Sequence, residues 1–116
     1  MSVVIYHNPR CSKSRETLVL LQTNNIDPQV VKYLDEPLSV AQLKELYAQL
    51  GLSQVREMMR TKEELYKELN LADSSLSDDA LFAAMAEHPK LIERPIVVAN
   101  GKARHGRPPE QVLDIL

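Results

Sequence analysis

Apolar residues along the chain recur with two different periods, and the switches between them mark the elements. Val3-Val4-Ile5-Tyr6 is an unbroken apolar run that predicts a short buried strand, and His7-Asn8-Pro9-Arg10 after it reads as a turn. Over residues 12 to about 24, Leu18, Leu21 and their apolar neighbours fall at helical spacing until Asn24-Asn25 stops them. Residues 30–34 follow Pro28 and are rich in β-branched side chains, which predicts a second strand. The crossover rule makes these two strands parallel. A helical block comes next. Ser39 with Gln42 forms a capping box before Leu43, Leu46, Tyr47 and Leu50, and Gly51 closes that helix. Thr61 with Glu64 repeats the signature before Leu65 and Leu69, while Ser77 opens a third helix through Leu81, Met85 and His88 that Pro89 ends. The period then returns to that of a sheet. Ile96-Val97-Val98-Ala99, Asn100-Gly101 and Lys102-Ala103-Arg104 predict a hairpin, because a type I′ turn needs two residues that tolerate positive φ. Pro108-Pro109 starts a final helix expected to bury Val112, Leu113 and Leu116.

The order predicts an α/β chain on a thioredoxin-like plan, with a mixed four-stranded sheet and a helical insertion between a βαβ half and a ββα half. With 116 residues the expectation is one domain over 1–116, the insertion covering about 37–90. A single cysteine excludes an intramolecular disulfide. No apolar segment approaches about 20 residues and no signal peptide is recognisable, so a cytoplasmic protein without a membrane partner is expected. A net charge of −2 and the lack of a basic stripe with interleaved aromatics argue against nucleic acid as a partner. A monomer is expected.

Chemistry concentrates at Cys11. The predicted strand, turn and helix put its sulfur at a helix N-terminus, where unpaired N–H groups and the macrodipole favour an anion, and Arg10, Lys13 and Arg15 add charge. Such surroundings lower a thiol from about 8.5 to roughly 3.5–7.5. The competing reading, a small buried hydrophobe, fits poorly with a loop of Asn, Pro, Arg, Ser and Lys. A metal centre is not expected, because His7, His88 and His105 are scattered and offer no ligand spacing with one cysteine. Ser14 stands where a dithiol relay would place its second cysteine, and Thr17 where a phosphatase-type loop would place its arginine. Redox chemistry here therefore needs an external reductant.

The run from Ile5 to Leu18, together with Met58-Met59-Arg60-Thr61-Lys62, Glu93-Arg94-Pro95-Ile96-Val97-Val98 and Gly106-Arg107-Pro108-Pro109-Glu110, resembles the glutaredoxin-dependent arsenate reductase family, in colinear order over nearly the whole chain. The resemblance implies a thioredoxin-like fold with an inserted helical region, Cys11 as nucleophile, and Arg60, Arg94 and Arg107 as the three arginines that hold the oxyanion. Taken alone each arginine reads as a solvated surface charge. All three sit at element ends, however, and planar guanidinium forks suit a tetrahedral anion. His7 and Ser14 match residues used around the thiol, Ser14 as a donor to the sulfur and protonated His7 as a favourable charge. Pro95 matches a proline that is cis in this fold, and Gly106 stands where some members carry a nonessential cysteine. Arg10, Ser12 and Lys13 are larger or more charged than the residues that well-studied members place around the thiol.

The activity implied is reduction of arsenate to arsenite through a thiol adduct, with glutathione as co-substrate, glutaredoxin as partner and no bound cofactor. Two alternatives remain open at the level of sequence. A monothiol glutaredoxin-like exchange protein also pairs one cysteine with a serine three residues later, but leaves Arg60 without a task. An RNA-polymerase-binding regulator of the related family shares the fold, but typically carries a Cys-x-x-Cys switch that Ser14 breaks.

Overall fold

A computed structural model describes residues 2–116 and divides them into two compact units, one formed by the chain up to Glu36 with Arg94–Leu116, the other by Pro37–Glu93. The first unit holds β1 (Val3–Tyr6), α1 (Ser12–Thr23), β2 (Gln29–Val31), β3 (Ile96–Ala99) and β4 (Lys102–His105). Its four strands lie in the order β2-β1-β3-β4. β1 runs parallel to β2 and antiparallel to β3, and β3 pairs antiparallel with β4, so the sheet is mixed on a thioredoxin-like plan.

Strand alternation decides which face is covered. Val3 lies opposite Ala99, and Ile5 opposite Val97. These four residues share one face and pack with Leu21 of α1 and with Val112 and Ile115 near the C-terminus, all buried. Burying such aliphatic side chains contributes about 1.5–3 kcal/mol each, so this cluster is what fixes α1 against the sheet. The hairpin turn forms as expected, with Asn100 at φ 56° and Gly101 at φ 76°.

Two elements of this unit differ from expectation. β2 covers only Gln29–Val31, because the chain turns at once, with the N–H groups of Asp35 and Glu36 donating to the Lys32 carbonyl. The last segment, Pro109–Ile115, is a 3₁₀ helix rather than an α-helix. Its period of three brings Pro109, Val112 and Ile115 to the core and leaves Leu113 exposed.

The second unit contains α2 (Val40–Leu50), α3 (Glu64–Glu68) and α4 (Asp78–Glu87), with 3₁₀ turns at Val55–Met58 and Pro89–Leu91. The Ser39–Gln42 capping box is present, and Gly51 ends α2 at φ 67°. α2 and α4 pack through buried Leu43, Leu46, Leu81 and Met85, with Tyr47 edge-on to Phe82 at 5.7 Å between ring centroids. The capping box expected at Thr61 and Glu64 does not form. The Glu63 N–H donates to the Arg60 carbonyl instead, which closes a turn upstream, and α3 starts later as a helix of five residues.

Candidate active site

The site is built on the loop between β1 and α1. Asn8 shapes that loop from both ends: its side-chain oxygen accepts the Arg10 N–H at 3.0 Å and its carbonyl accepts the Cys11 N–H at 3.0 Å. Such Asx turns are the mechanical meaning of an Asn-Pro pair between strand and helix. Arg15 locks the loop from α1, donating from its guanidinium to the Pro9 carbonyl at 2.9 Å. Cys11 is then the N-cap of α1, in extended conformation at φ −93° and ψ 123°.

Cys11 is only 7% exposed, and burial by itself pushes its thiol pKa up. That effect is outweighed. The backbone N–H of Ser14, the charge of Arg94, the backbone N–H of Lys13 and the charge of Arg107 together hold the thiol below its ordinary value. The Arg107 guanidinium Nη2 makes a long N–H···S contact of 3.9 Å with Sγ.

Arg94 and Arg107 come together because of the hairpin. Ile96 and His105 form the last pair of the β3–β4 ladder, so the two arginines are each two residues beyond it on facing strands. The Arg107 Nε donates to the Arg94 carbonyl at 2.8 Å, and the Gly106 N–H donates to the Pro95 carbonyl at 3.0 Å. The Arg94–Pro95 bond is cis, as the family resemblance implies, and so is Arg107–Pro108. Gly106 packs directly on α1. A Cβ there would collide with the Thr17 hydroxyl and come within 2.8 Å of the Pro95 ring.

His7 and Ser14 are joined to each other in the loop that carries the thiol, and neither is in the state expected. Burial, with the charges of Lys32 and Arg15, holds His7 below its usual range, so a protonated imidazole is not favoured at neutral pH. The Ser14 hydroxyl lies 2.6 Å from His7 Nδ1 and accepts the Asn8 N–H at 3.0 Å. It is engaged with the loop, and Ser14 acts on the sulfur through its backbone N–H instead.

Arg60 belongs to the second unit. There its backbone N–H donates to the Leu91 carbonyl at 2.7 Å, and its guanidinium pairs with Glu63 at 3.1 Å, with Lys90 at 3.9 Å from the same carboxylate. Among the described residues no group of three or more His, Cys, Asp or Glu could hold a metal ion. Two features escaped the sequence reading. Asn8 carried a signal, since an asparagine before proline and after a strand marks a side-chain turn. The close approach of Gly106 to Thr17 carried none, because the two positions are far apart in the chain.

A mixed sheet with one cysteine capping the helix after its first parallel strand defines a thioredoxin-like protein. Residues 6–115 match the ArsC family model, and the chain belongs to the ArsC family. It is 57% identical over 116 residues to a Haemophilus influenzae protein named arsenate reductase, covering all of both chains. It is 67% identical over 114 residues to YfgD of Escherichia coli (strain K12), covering 98% of this chain and 96% of the other. Among solved structures, the arsenate reductase from Vibrio cholerae superposes with a TM-score of 0.99 at 78% identity, over 100% of this chain and 98% of that one.

Proposed function

We propose that the protein is a cytoplasmic, monomeric arsenate reductase that draws its electrons from glutathione and glutaredoxin. The observation that carries this reading is the Cys11 sulfur, capping α1 with the Arg107 guanidinium 3.9 Å away and its pKa lowered despite burial. The names of relatives at 57% and 54% identity support the substrate.

In this reading Arg60, Arg94 and Arg107 hold the oxyanion, each charge-assisted hydrogen bond contributing about 1.5–3 kcal/mol. The Cys11 thiolate attacks arsenic. A sulfur–arsenic bond forms, an arsenic–oxygen bond breaks, and hydroxide leaves as water once it takes a proton. The arginines stabilise charge as it moves onto the remaining oxygens. Glutathione then attacks arsenic, a second sulfur–arsenic bond forming as another arsenic–oxygen bond breaks and water leaves. A glutaredoxin thiolate attacks the glutathione sulfur, the mixed disulfide forms as the glutathione sulfur–arsenic bond breaks, and that bond's electron pair stays on arsenic and reduces it to the trivalent state. Water then takes the place of the Cys11 sulfur on arsenic, so that arsenite departs and the Cys11 thiolate returns. His7 and Ser14 support the thiolate indirectly. Their hydrogen bond holds the loop so that the Ser14 and Lys13 N–H groups stay aimed at the sulfur.

The test is arsenate turnover coupled to glutathione and glutaredoxin, compared between the native chain and Cys11→Ser. Turnover should vanish in the variant. Equal rates in both proteins would remove Cys11 from the mechanism, and deglutathionylation without arsenate turnover would favour a thiol-exchange protein.

A further inference from the structure

α1 buries three side chains, Ser14, Thr17 and Leu21. Leu21 packs against the sheet, and Ser14 holds the loop through His7. Thr17 is wholly buried as well, although threonine is a poorer helix former than alanine and carries a hydroxyl that must find a partner. That hydroxyl donates to the Lys13 carbonyl at 2.8 Å, one turn back. Threonine divides between two χ1 rotamers in a helix, and this bond selects one of them.

The selected rotamer meets Gly106. That glycine is buried, and it comes so close that a Cβ would collide with the Thr17 hydroxyl and lie 3.1 Å from the Thr17 methyl. Its N–H donates to the Pro95 carbonyl, so Gly106 is fixed by a hydrogen bond on one side and by contact with Thr17 on another. The next residue is Arg107, which is exposed, and a long side chain in water has many rotamers to lose before it becomes a fixed donor. Arg107 nonetheless reaches the Arg94 carbonyl through Nε and the Cys11 sulfur through Nη2. Both contacts depend on where residue 107 leaves the backbone, and Gly106 has no side chain of its own to set that position. Thr17 supplies the surface. It lies on the same helix that Cys11 caps, so the contact with Gly106 sets the guanidinium directly against the sulfur's own element.

We propose that Thr17 is a positioning residue for the thiol site: its side chain is the stop against which Gly106 rests, and it thereby holds the Arg107 guanidinium at Cys11. The role rests on the reading of Cys11 as the reacting thiol, and a measurement on the thiol tests it without arsenate.

The test is the rate of Cys11 alkylation by iodoacetamide against pH in the full chain, for Thr17→Ala, Thr17→Ser, Arg107→Ala, and Thr17→Ala combined with Arg107→Ala. Alanine is the best helix former, so Thr17→Ala should fold, and a cooperative thermal transition checks that it has. Its midpoint should rise by about half a pH unit, which is roughly a threefold loss of thiolate below the midpoint, whereas Thr17→Ser keeps the hydroxyl and should stay within about 0.2 of a unit. In the Arg107→Ala background Thr17→Ala should add nothing, because two residues that act through one contact are not additive. Gly106→Ala, which forces the same contact apart, is the second variant and should raise the midpoint only while Arg107 is present. Arsenate kcat/KM should fall by about tenfold in Thr17→Ala and be restored in Thr17→Ser. Unmoved midpoints in Thr17→Ala and Gly106→Ala would overturn the proposal. So would an equal rise with and without Arg107, which would make Thr17 a structural residue of the helix alone. Midpoints that move as expected in a chain that does not reduce arsenate would instead overturn the reductase reading and leave the positioning role standing.

Discussion

At the scale of single residues, the balance at Cys11 is between burial, which disfavours the thiolate, and four groups that favour it. Arg94 and Arg107 act on the sulfur through their side chains, and Arg107 makes a direct contact with it. Arg107→Ala should move the midpoint of the alkylation rate against pH upward, toward the ordinary thiol value, and should lower arsenate kcat/KM by about 10²-fold, the loss expected for one charge-assisted donor. An unmoved midpoint would show that the helix N–H groups and Arg94 hold the thiolate without Arg107. Gly106 makes a second prediction at this scale. Gly106→Ala forces Thr17 to rotate away from its 2.8 Å hydrogen bond to the Lys13 carbonyl, or displaces the Pro95 ring. Overpacking of this kind costs about 1–3 kcal/mol, measurable by denaturant unfolding. Adding Thr17→Ala should recover part of that cost, because it removes the atoms that collide.

At the scale of elements, the hairpin is where the sequence is most informative. Asn100-Gly101 fixes the turn, the turn fixes the register, and the register alone sets Arg94 across from Arg107. The approach of Arg107 to Arg94 was therefore legible in a dipeptide six positions from each. Gly101 sits at φ 76°, where a Cβ costs about 1–2 kcal/mol, so Gly101→Ala should lower Tm by about 4–8 °C per kcal/mol lost for a domain of this size. An unchanged Tm would mean that the hairpin tip is uncoupled from global unfolding. Other elements were less legible for identifiable reasons. The Ser39 box formed with both of its bonds to Gln42, whereas the box expected at Thr61 lost to a turn closed by the Arg60 carbonyl, just upstream of α3. At the C-terminal end, Val112 alone fits both an α-helical and a 3₁₀ stripe, and the buried partners Pro109 and Ile115 identify the tighter period only once the sheet is in place.

At the scale of the whole molecule, the protonation of the site is tied to folding. The sequence made the position of Cys11 at a helix N-terminus legible, but not the charge state of His7. That depends on burial and on Lys32, which follows β2 and reaches His7 only through the sheet, where the His7 N–H donates to the Val31 carbonyl at 2.8 Å. A histidine lowered from 6.5 on folding binds its proton more readily when unfolded, so its contribution to stability is complete above about pH 6.5 and is lost as pH falls toward the lowered value. The same sign holds for Cys11 in a higher window. Its folded pKa lies below 9.0, so the unfolded thiol keeps its proton longer, and stability rises with pH from the lowered value up to about 9.0. Glu57 and Asp73 are also lowered, but from 4.5 and 3.8, so they act only in more acid solution. Thermal unfolding followed from pH 5 to 9 should therefore show Tm rising with pH, with His7 contributing below about pH 6.5 and Cys11 up to about pH 9.0. His7→Gln should reduce the rise below pH 6.5, and Cys11→Ser the rise between pH 6.5 and 9. An unchanged rise between pH 6.5 and 9 in Cys11→Ser would mean that Cys11 is not held as a thiolate in the folded protein, and a rise below pH 6.5 that survives in His7→Gln would assign it to another group.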